Sequence, residues 1–135
     1  MAIDRKFALK SLELGPYAAM LGLEIVSAQN GEAIARMPFS AKNLNYGGDD
    51  VPIHGGAIAS LADFAACAAV WSIPQTERSA TISMAVNYAG PGIKSDLTAH
   101  AMLRRTGRRI ASLTVEIRDG AGALVADALV TYKIA

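Results

Sequence analysis

The sequence predicts an α+β fold in which one antiparallel β-sheet wraps around a single long helix. Residues 55–73 form a run of small and apolar residues, which is typical of a helix buried on all sides. In four later runs, apolar and polar residues alternate, as in strands with one buried face. A buried helix and one-sided strands fit together when the sheet covers the helix. The 135 residues contain no repeat or linker, so residues 1–135 are expected to form one domain.

The first third of the chain predicts two short helices and a hairpin. Residues 4–21 look helical, with a break at Gly15 and Pro16, and Pro16 suits the first turn of a second short helix. Asn30-Gly31 stands between two alternating runs, which is a strong hairpin signal. Residues 40–53 are rich in turn-forming residues and predict a loop. The long helix follows, and Pro74 stops it.

The second half of the chain predicts four strands, at residues 79–89, 96–105, 109–118 and 123–134. Each run places its apolar residues at every second position, so one face of each strand is expected to point inward. In the last three strands the expected inward residues are Leu97, Ala99, Ala101 and Leu103; Ala111, Leu113, Val115 and Ile117; and Leu124, Ala126, Ala128, Val130, Tyr132 and Ile134.

Charge and cysteine content exclude several classes of protein. Thirteen basic and twelve acidic residues give a net charge of +1, which argues against a nucleic-acid partner or a membrane surface. The single cysteine excludes an internal disulfide and fits a reducing compartment. The N-terminal residues lack the apolar core of a signal peptide, so we expect a cytoplasmic protein. A membrane span at 55–73 is rejected, because Asp63 at its centre would cost at least about 2.5 kcal/mol.

Asp63 is the unusual residue of the long helix. It is the only charged residue between Gly55 and Thr76, and its neighbours are small or apolar. Burying an unpaired carboxylate costs several kcal/mol, on the order of what a whole core side chain contributes. Asp63 is therefore either a structural carboxylate that caps a loop or pairs with an arginine, or a functional group. We favour the functional interpretation.

The helix opens with His54, Gly55 and Gly56. The first N–H groups of a helix lack intrahelical partners and lie at the positive end of its dipole. Glycine also lets a substrate carbonyl come close to the backbone. The structural alternatives are that the two glycines make a tight turn into the helix and that His54 hydrogen-bonds the preceding loop.

Three segments of the sequence carry a resemblance to a known family: HGGAIASLAD, TISMAVNYAGP and GRRIASLTVEIRDGAGALVADALVTYKI. In these segments, and in its order of elements, the chain resembles the hotdog-fold thioesterases, and more narrowly the PaaI-type acyl-CoA thioesterases of phenylacetate metabolism. The resemblance covers most of residues 20–134. It implies a hotdog fold and hydrolysis of an acyl- or aryl-CoA thioester to the free acid and coenzyme A. Coenzyme A would then be part of the substrate, with no separate cofactor. It also implies a homodimer as the minimal unit, expected to pair into a homotetramer.

The resemblance assigns roles to four residues. Asp63 matches the catalytic carboxylate, acting as nucleophile or as general base on water. Gly55 matches the glycine whose backbone N–H polarises the thioester carbonyl, and His54 matches the histidine that shapes the pocket beside it. Thr81 falls where the family has Ser or Thr near the carboxylate.

At one position the sequence departs from the family. An asparagine usually lies six residues before the histidine, and that position here is Gly48. Asn45 lies three residues earlier, in a loop that the residues GDD lengthen. Either Asn45 fills the role or the role is absent, and the sequence leaves both open.

The spacing on the helix predicts a site shared by two chains. Gly55 and Asp63 are eight residues apart, which is about 12 Å along a helix. A nucleophile has to lie about 3–3.5 Å from the carbonyl carbon that the N–H polarises. Two antiparallel copies of the helix, related by a two-fold axis, would bring the two groups together.

The remaining candidates are weaker. The RRTGRR turn, residues 104–109, is either a solvated hairpin tip or a contact for the phosphates of coenzyme A through Arg108 and Arg109, with Gly56 as a further contact. Cys67 is expected to be a core cysteine and His100 an exposed strand residue. No second residue near His54 has metal-ligand spacing, so we expect no metal.

Two other functions compete with the thioesterase. The chain could be a non-catalytic acyl-CoA-binding module, or an acyl-CoA hydratase that adds water to a double bond. Binding modules that regulate transcription need a helix-turn-helix, for which this chain has no room. Hydratases of this fold typically pair Asp with a downstream His, whereas His54 precedes Asp63. The sequence does not identify the acyl group.

Overall fold

The computed structural model describes residues 3–48 and 50–135, so Asp49, within the predicted loop, lies outside the described residues. The longest helix has 17 residues, and no described helix is long and apolar enough to cross a membrane. The elements, in order, are α1 (Arg5–Leu14), α2 (Pro16–Leu21), β1 (Glu24–Gln29), β2 (Glu32–Met37), a 3₁₀ turn (Ala41–Asn43), α3 (Gly55–Trp71), β3 (Ala80–Tyr88), β4 (Leu97–Thr106), β5 (Ile110–Arg118) and β6 (Leu124–Lys133).

The six strands form one antiparallel sheet in the order β1-β2-β4-β5-β6-β3. The sheet covers α3, which contacts all six strands. The predicted hotdog fold, an antiparallel sheet around a long central helix, is therefore confirmed. The strand order places β3 at the edge of the sheet beside β6, although β3 is third along the chain.

The local signals at the N-terminal end are confirmed. Asp4 caps α1 by accepting a hydrogen bond from the Phe7 N–H at 3.1 Å, and Pro16 is the first residue of α2. The hairpin turn between β1 and β2 has φ of 55° at Asn30 and 81° at Gly31. A two-residue turn with both φ values positive matches the right-handed twist of the strands it joins, and Asn-Gly is the sequence that favours it.

The core lies between α3 and the inner face of the sheet. The predicted inward residues of β4 and β5 are buried, with Leu103 partly so, and so are the alanines of β2. Many core positions on both the helix and the strands are alanines, so the helix backbone lies close to the sheet. The fully buried alanines include Ala33, Ala35, Ala99, Ala101, Ala62, Ala65, Ala66 and Ala69.

The expectation that the long helix is buried on all sides is wrong for one stripe. Ten of its residues are buried, but Gly56, Ser60, Asp63, Cys67 and Trp71 keep some exposure. These positions are three or four residues apart and share one face of the helix. The helices α1 and α2 cover this face incompletely, and the stripe forms one wall of a cavity.

Candidate active site

His54 is the N-cap of α3. Its Nδ1 atom accepts a hydrogen bond from the Gly56 N–H at 2.8 Å. The backbone N–H of His54 donates to the Asn43 carbonyl at 2.7 Å, which connects the cap to the preceding loop. Because Nδ1 is an acceptor, the neutral ring carries its proton on Nε2. The side chain is exposed, so His54 both caps the helix and presents an N–H donor outward.

Two aromatic rings explain why the helix opens with two glycines. The Tyr88 hydroxyl donates to the Gly55 carbonyl at 2.7 Å, and a Cβ on Gly55 would lie 3.3 Å from the Tyr88 ring. A Cβ on Gly56 would lie only 2.9 Å from Nδ1 of His54, so a side chain there would displace the cap. The glycines therefore have a packing role, whether or not a substrate uses their N–H groups.

The two glycine N–H groups differ in availability. The Gly56 N–H is occupied by His54. Within residues 3–48 and 50–135, the Gly55 N–H has no hydrogen-bond acceptor. The contact of Gly56 with coenzyme A stays a prediction, and its N–H is free for such a contact only when the cap opens. Among the described residues, the Gly55 N–H is therefore the more available of the two donors.

Although its helix neighbours are apolar, Asp63 has hydrogen-bond partners: two hydroxyl groups from the strands. The Thr81 hydroxyl donates to Oδ1 at 2.7 Å. The Tyr132 hydroxyl lies 2.6 Å from the same oxygen and 3.0 Å from the Asp63 backbone carbonyl. Asp63 is half-buried, so water solvates part of it. In the described part of the chain no donor reaches Oδ2, which leaves one carboxylate oxygen fixed and the other free.

Tyr132 is a site residue that the sequence analysis missed. The alternation of β6 assigned it to the apolar face, and its ring is indeed buried. Burial raises the pKa of its hydroxyl above the usual tyrosine range, and the nearby Cys67 and Asp63 raise this pKa further. The hydroxyl therefore stays protonated and remains a donor to Asp63. A buried tyrosine usually bonds its hydroxyl to something, which is the signal that could have found it.

A cavity of about 440 Å³ lies in front of Asp63. Its floor is the exposed stripe of α3, from Ser60 to Cys67, and the start of β3 contributes Thr81. Its opposite wall comes from α1 and α2, which supply Leu12 and Tyr17. The surroundings of the carboxylate are mostly apolar, so the cavity suits a ligand with a carbonyl group at Asp63 and an apolar body beyond it.

Cys67 lies one helical turn beyond Asp63 and lines the same cavity. Its Sγ lies 3.7 Å from Oγ of Ser79, which also accepts a hydrogen bond from Nε1 of Trp71. Burial raises the pKa of the Cys67 thiol. The thiolate, which is the nucleophilic form, is therefore disfavoured. The geometry supports the prediction that Cys67 packs rather than reacts.

The structure places Asn45 away from the helix entry. Asn45 is exposed, and its N–H donates to the Pro52 carbonyl at 3.0 Å. Asn43 is instead the asparagine beside His54: it is 3 % exposed, and its carbonyl accepts from the His54 N–H. Oδ1 of Asn43 is buried and has no hydrogen-bond partner in the described structure. The lengthened loop places Asn43 eleven residues before His54, so the usual six-residue spacing does not identify it.

The basic turn lies at the end of the sheet that is nearer to Asp63. Arg104, Arg105, Arg108 and Arg109 are all exposed. The Ile134 N–H, one residue beyond the end of β6, donates to the Arg109 carbonyl, and Tyr132, two residues earlier in the chain, contacts Asp63. Two strand residues span about 7 Å. The turn is thus close enough for one extended ligand to contact both regions.

His100 has a partner that the sequence analysis did not identify. It lies on the outer face of β4, and its Nε2 contacts Oε1 of Glu32, which is on the neighbouring strand β2. The outer face of the sheet is opposite α3. His100 is therefore on the other side of the sheet from the cavity, in agreement with its assignment as a strand surface residue.

The site residues thus fall into two groups within one chain. Asp63, Thr81 and Tyr132 meet at the middle of α3. His54 and Gly55 lie at its N-terminus, about 12 Å away along the helix. Thioester cleavage needs a nucleophile or base and an oxyanion donor within a few ångströms of one carbonyl. Each group contains chemical groups suited to one of these two roles.

Comparisons with known proteins identify the family of the chain. The profile of the thioesterase superfamily matches residues 53–126, more than half of the chain and from the α3 cap into β6. The chain belongs to this superfamily. The predicted family and enzyme class, a hotdog-fold thioester hydrolase of PaaI type, are therefore confirmed.

Individual relatives are similar over most of their length. The acyl-coenzyme A thioesterase PaaI of Escherichia coli is 33% identical over 101 residues, covering 74% of this chain and 69% of PaaI. The medium/long-chain acyl-CoA thioesterase YigI of Salmonella typhimurium is 31% identical, covering 88% of this chain and 85% of YigI. The solved structure of E. coli PaaI superimposes with a TM-score of 0.82 at 27% identity, covering 96% of this chain and 91% of PaaI.

Proposed function

We propose that this protein hydrolyses an acyl- or aryl-CoA thioester to the free acid and coenzyme A, with Asp63 as the catalytic carboxylate. The observation that carries the proposal is the state of Asp63. Hydroxyls from Thr81 and Tyr132 hold one oxygen, and the other oxygen has no donor in the described structure, at the wall of an apolar cavity. The PaaI and YigI relatives, which are named for action on acyl-CoA, support the substrate class.

Two routes lead from this geometry to the products. As a general base, Oδ2 takes a proton from water while the water oxygen bonds to the thioester carbon. As a nucleophile, Oδ2 bonds to that carbon itself and forms a mixed anhydride, which water then cleaves. In both routes the C–S bond breaks and the coenzyme A thiolate leaves and takes up a proton.

Attack at the carbonyl carbon places a negative charge on the carbonyl oxygen, and this oxyanion needs a hydrogen-bond donor, which we assign to the Gly55 N–H of the second chain. In the described chain this N–H has no acceptor, and it lies at the positive end of α3. One such donor is worth roughly a hundredfold to a thousandfold in rate. His54 acts as a positioning residue, because its hydrogen bond from Gly56 fixes the first turn of the helix.

The edge strand β3 is where we place the contact between the two chains. It has nine residues and, within the described part of the chain, pairs on one side only, with β6. Ile82 and Tyr88 on this strand are each 54 % exposed. A long apolar edge strand left open favours pairing with another chain. Antiparallel pairing of two β3 strands about a two-fold axis would bring α3 of each chain alongside the other. A homotetramer built from such dimers stays a prediction.

The chemistry around Asp63 suggests where the acyl group and the coenzyme of the substrate would bind. The mostly apolar cavity would hold the acyl group, and Arg108 and Arg109 would contact the coenzyme A phosphates. The location of the arginine turn beside the end of β6 supports this direction for the coenzyme.

The test is a thiol-release assay over a panel of short, medium, long and aromatic acyl-CoA esters. Wild-type protein is expected to cleave at least one class, and Asp63→Asn is expected to lose at least about a hundredfold in kcat while staying folded. Full turnover by Asp63→Asn would remove Asp63 from catalysis. Tight binding of acyl-CoA without cleavage of any ester would favour the non-catalytic binding module.

An isotope experiment tests for the anhydride route. In a single turnover in ¹⁸O-water, with enzyme in excess, a general base puts the label into the acid product. If Asp63 is the nucleophile, water that attacks the acyl carbon of the anhydride also labels the acid. Water that attacks the carboxyl carbon of Asp63 labels Asp63 instead. Label in Asp63, read by mass spectrometry of its peptide, would establish the anhydride.

A further inference from the structure

The groove along α3 continues beyond the cavity at Asp63. A second cavity of about 250 Å³ lies nearer the N-terminus of the helix, beside His54, Gly56 and Ala57. Both cavities lie along α3, and α2 contributes to the wall of each. Among the described residues, Tyr17 alone lines both cavities. The side chain of Tyr17 therefore lies at the boundary between them.

A short chain of hydrogen bonds holds Tyr17 at this boundary. The Ser60 hydroxyl donates to the Gly56 carbonyl at 2.8 Å, which uses its one hydrogen. The Tyr17 hydroxyl lies 2.9 Å from Oγ of Ser60 and is therefore the donor in that pair. This bond joins the second residue of α2 to the N-terminal half of α3, beside the boundary between the two cavities.

Tyr17 has a restricted backbone and contributes little to the core. Pro16 begins α2 immediately before it, so the backbone that carries the ring is restricted. Tyr17 is 58 % exposed and lies outside the hydrophobic core cluster of the described residues. The hydrogen bond to Ser60 connects its side chain to α3.

We infer that Tyr17 limits the length of the acyl group that the enzyme accepts. This inference rests on the proposed function, because it takes the cavity at Asp63 as the acyl site. An acyl group whose carbonyl is at Asp63 can extend along α3 toward Ser60 until it meets the Tyr17 ring. Beyond the ring lies the second cavity, whose walls include the apolar side chains of Met20, Leu21 and Leu44. Removing the ring would join the two spaces.

The first experiment compares acyl-chain profiles of wild type and Tyr17→Ala, measured as kcat/KM from acetyl-CoA to palmitoyl-CoA. Tyr17→Ala is expected to move the optimum to longer chains, with about a tenfold gain for long esters relative to short ones. An unchanged profile, with activity retained, would overturn the inference. Because the side chain is more than half exposed, the variant is expected to fold, which a thermal melt checks.

Two conservative variants separate the ring from its hydrogen bond. Tyr17→Phe keeps the ring and loses the bond, and Ser60→Ala loses the same bond from the other side. Each is expected to broaden the profile toward long chains by less than Tyr17→Ala does. Because they remove one interaction, the double variant should match the single ones rather than add to them. Additive effects would show that the bond does not hold the ring in place.

A binding measurement keeps this inference distinguishable from the proposed function. Calorimetry with butyrate and dodecanoate measures binding of an acyl chain to the cavity without any turnover. Tyr17→Ala should strengthen dodecanoate binding relative to butyrate by about tenfold. If wild type cleaves no ester, the proposed function fails, and the dodecanoate comparison still decides the role of Tyr17. Equal dodecanoate-to-butyrate ratios in the two proteins would overturn it.

Discussion

The middle of α3 and its N-terminus are supported in different ways. At the middle, Asp63 is held by Thr81 and Tyr132, two hydroxyls from strands of its own chain, and it faces a cavity. At the N-terminus, His54 caps the helix from within, while the Gly55 N–H has no acceptor among the described residues. One region holds its functional group in place, and the other leaves its donor open.

The difference shows how one helix can carry two incompatible requirements. A carboxylate next to the positive N-terminus would be stabilised there and would occupy the donors needed for the oxyanion. With Asp63 two turns farther along, the donor stays free, but the two groups cannot reach one carbonyl in the same chain. In the proposed dimer, a second copy of the helix, antiparallel to the first, would remove this conflict.

The largest expected losses of kcat come from removing the functional group of either region by itself. Gly55→Pro removes the N–H at a helix start, where proline is tolerated, and is expected to lose at least about a hundredfold in kcat. Gly55→Ala is the matched control, because it adds the same Cβ near Tyr88 but keeps the N–H. Steady-state kinetics of the two variants compare them. Equal losses would mean that crowding of Tyr88, and not the N–H, is responsible.

Mixing the two lesions tests whether the regions belong to different chains. Asp63→Asn and Gly55→Pro, co-refolded in equal amounts, should form mixed dimers with one intact site and one doubly damaged site. About a quarter of wild-type activity should return. If both groups of each site came from one chain, every site would carry a lesion and the mixture would stay inactive. Native mass spectrometry confirms that the mixed dimers form.

The next largest effect concerns the support of Asp63. Tyr132→Phe keeps the buried ring and removes the hydroxyl that contacts Oδ1, so the carboxylate is held by Thr81 alone. Hydrogen bonds to charged groups contribute about 1.5–3 kcal/mol, and we expect kcat to fall about tenfold or more. Since the raised pKa keeps this hydroxyl protonated, the ratio of wild-type to variant kcat should stay constant up to about pH 9.

Thr81 gives the matched comparison for the same carboxylate. Thr81→Val is close in shape and lacks the hydroxyl, while Thr81→Ser keeps the hydroxyl and loses the methyl group. The serine variant should stay near wild type, and the valine variant should lose several-fold in kcat. If the serine and valine variants lose equally, the methyl contact matters and the hydrogen bond to Asp63 does not.

The sequence was informative where a signal is local. Asn30-Gly31 predicted its hairpin because the turn needs two positive φ values that these residues tolerate. Alternation predicted the inner faces of β4 and β5 because burial follows a period of two. Asp63 was conspicuous because a charge in an apolar helix is costly wherever the helix lies.

The remaining features depend on residues far apart in the chain. Tyr132 and Asp63 are 69 residues apart, so alternation identified the buried ring but not the partner of its hydroxyl. Asn43, rather than Asn45, lies beside His54 because the Leu44–Ile53 bridge folds the intervening loop back on itself. The edge position of β3 follows from its pairing with β6, which periodicity does not encode.

A smaller effect is expected from the cap at the N-terminus. Gly56→Ala would place a Cβ 2.9 Å from Nδ1 of His54 and so displace the ring from the helix. Loss of an N-cap bond costs about 1 kcal/mol, and the free energy of unfolding measured in urea should fall by that amount. His54→Asn, which retains an N-cap acceptor, should lose less stability. An unchanged free energy in Gly56→Ala would mean that the cap does not stabilise the helix.

The smallest expected effect is at the basic turn. This turn would contact the coenzyme part of a substrate whose carbonyl contacts both regions of α3. Replacing Arg108 and Arg109 together by Ala should raise KM for the CoA ester about fivefold and leave kcat nearly unchanged, because phosphate contacts far from the carbonyl act equally on substrate and transition state.

Two comparisons isolate the phosphate contact. A pantetheine thioester lacks the nucleotide phosphates, so its KM should be the same for wild type and the variant. Replacing Arg104 and Arg105 by Ala removes the same charge from the same hairpin. If long-range attraction is responsible, both pairs will raise KM for the CoA ester equally, and salt will abolish both effects. If Arg108 and Arg109 bind the phosphates directly, only their replacement raises KM substantially, and part of that difference persists at high salt because close contacts are screened less.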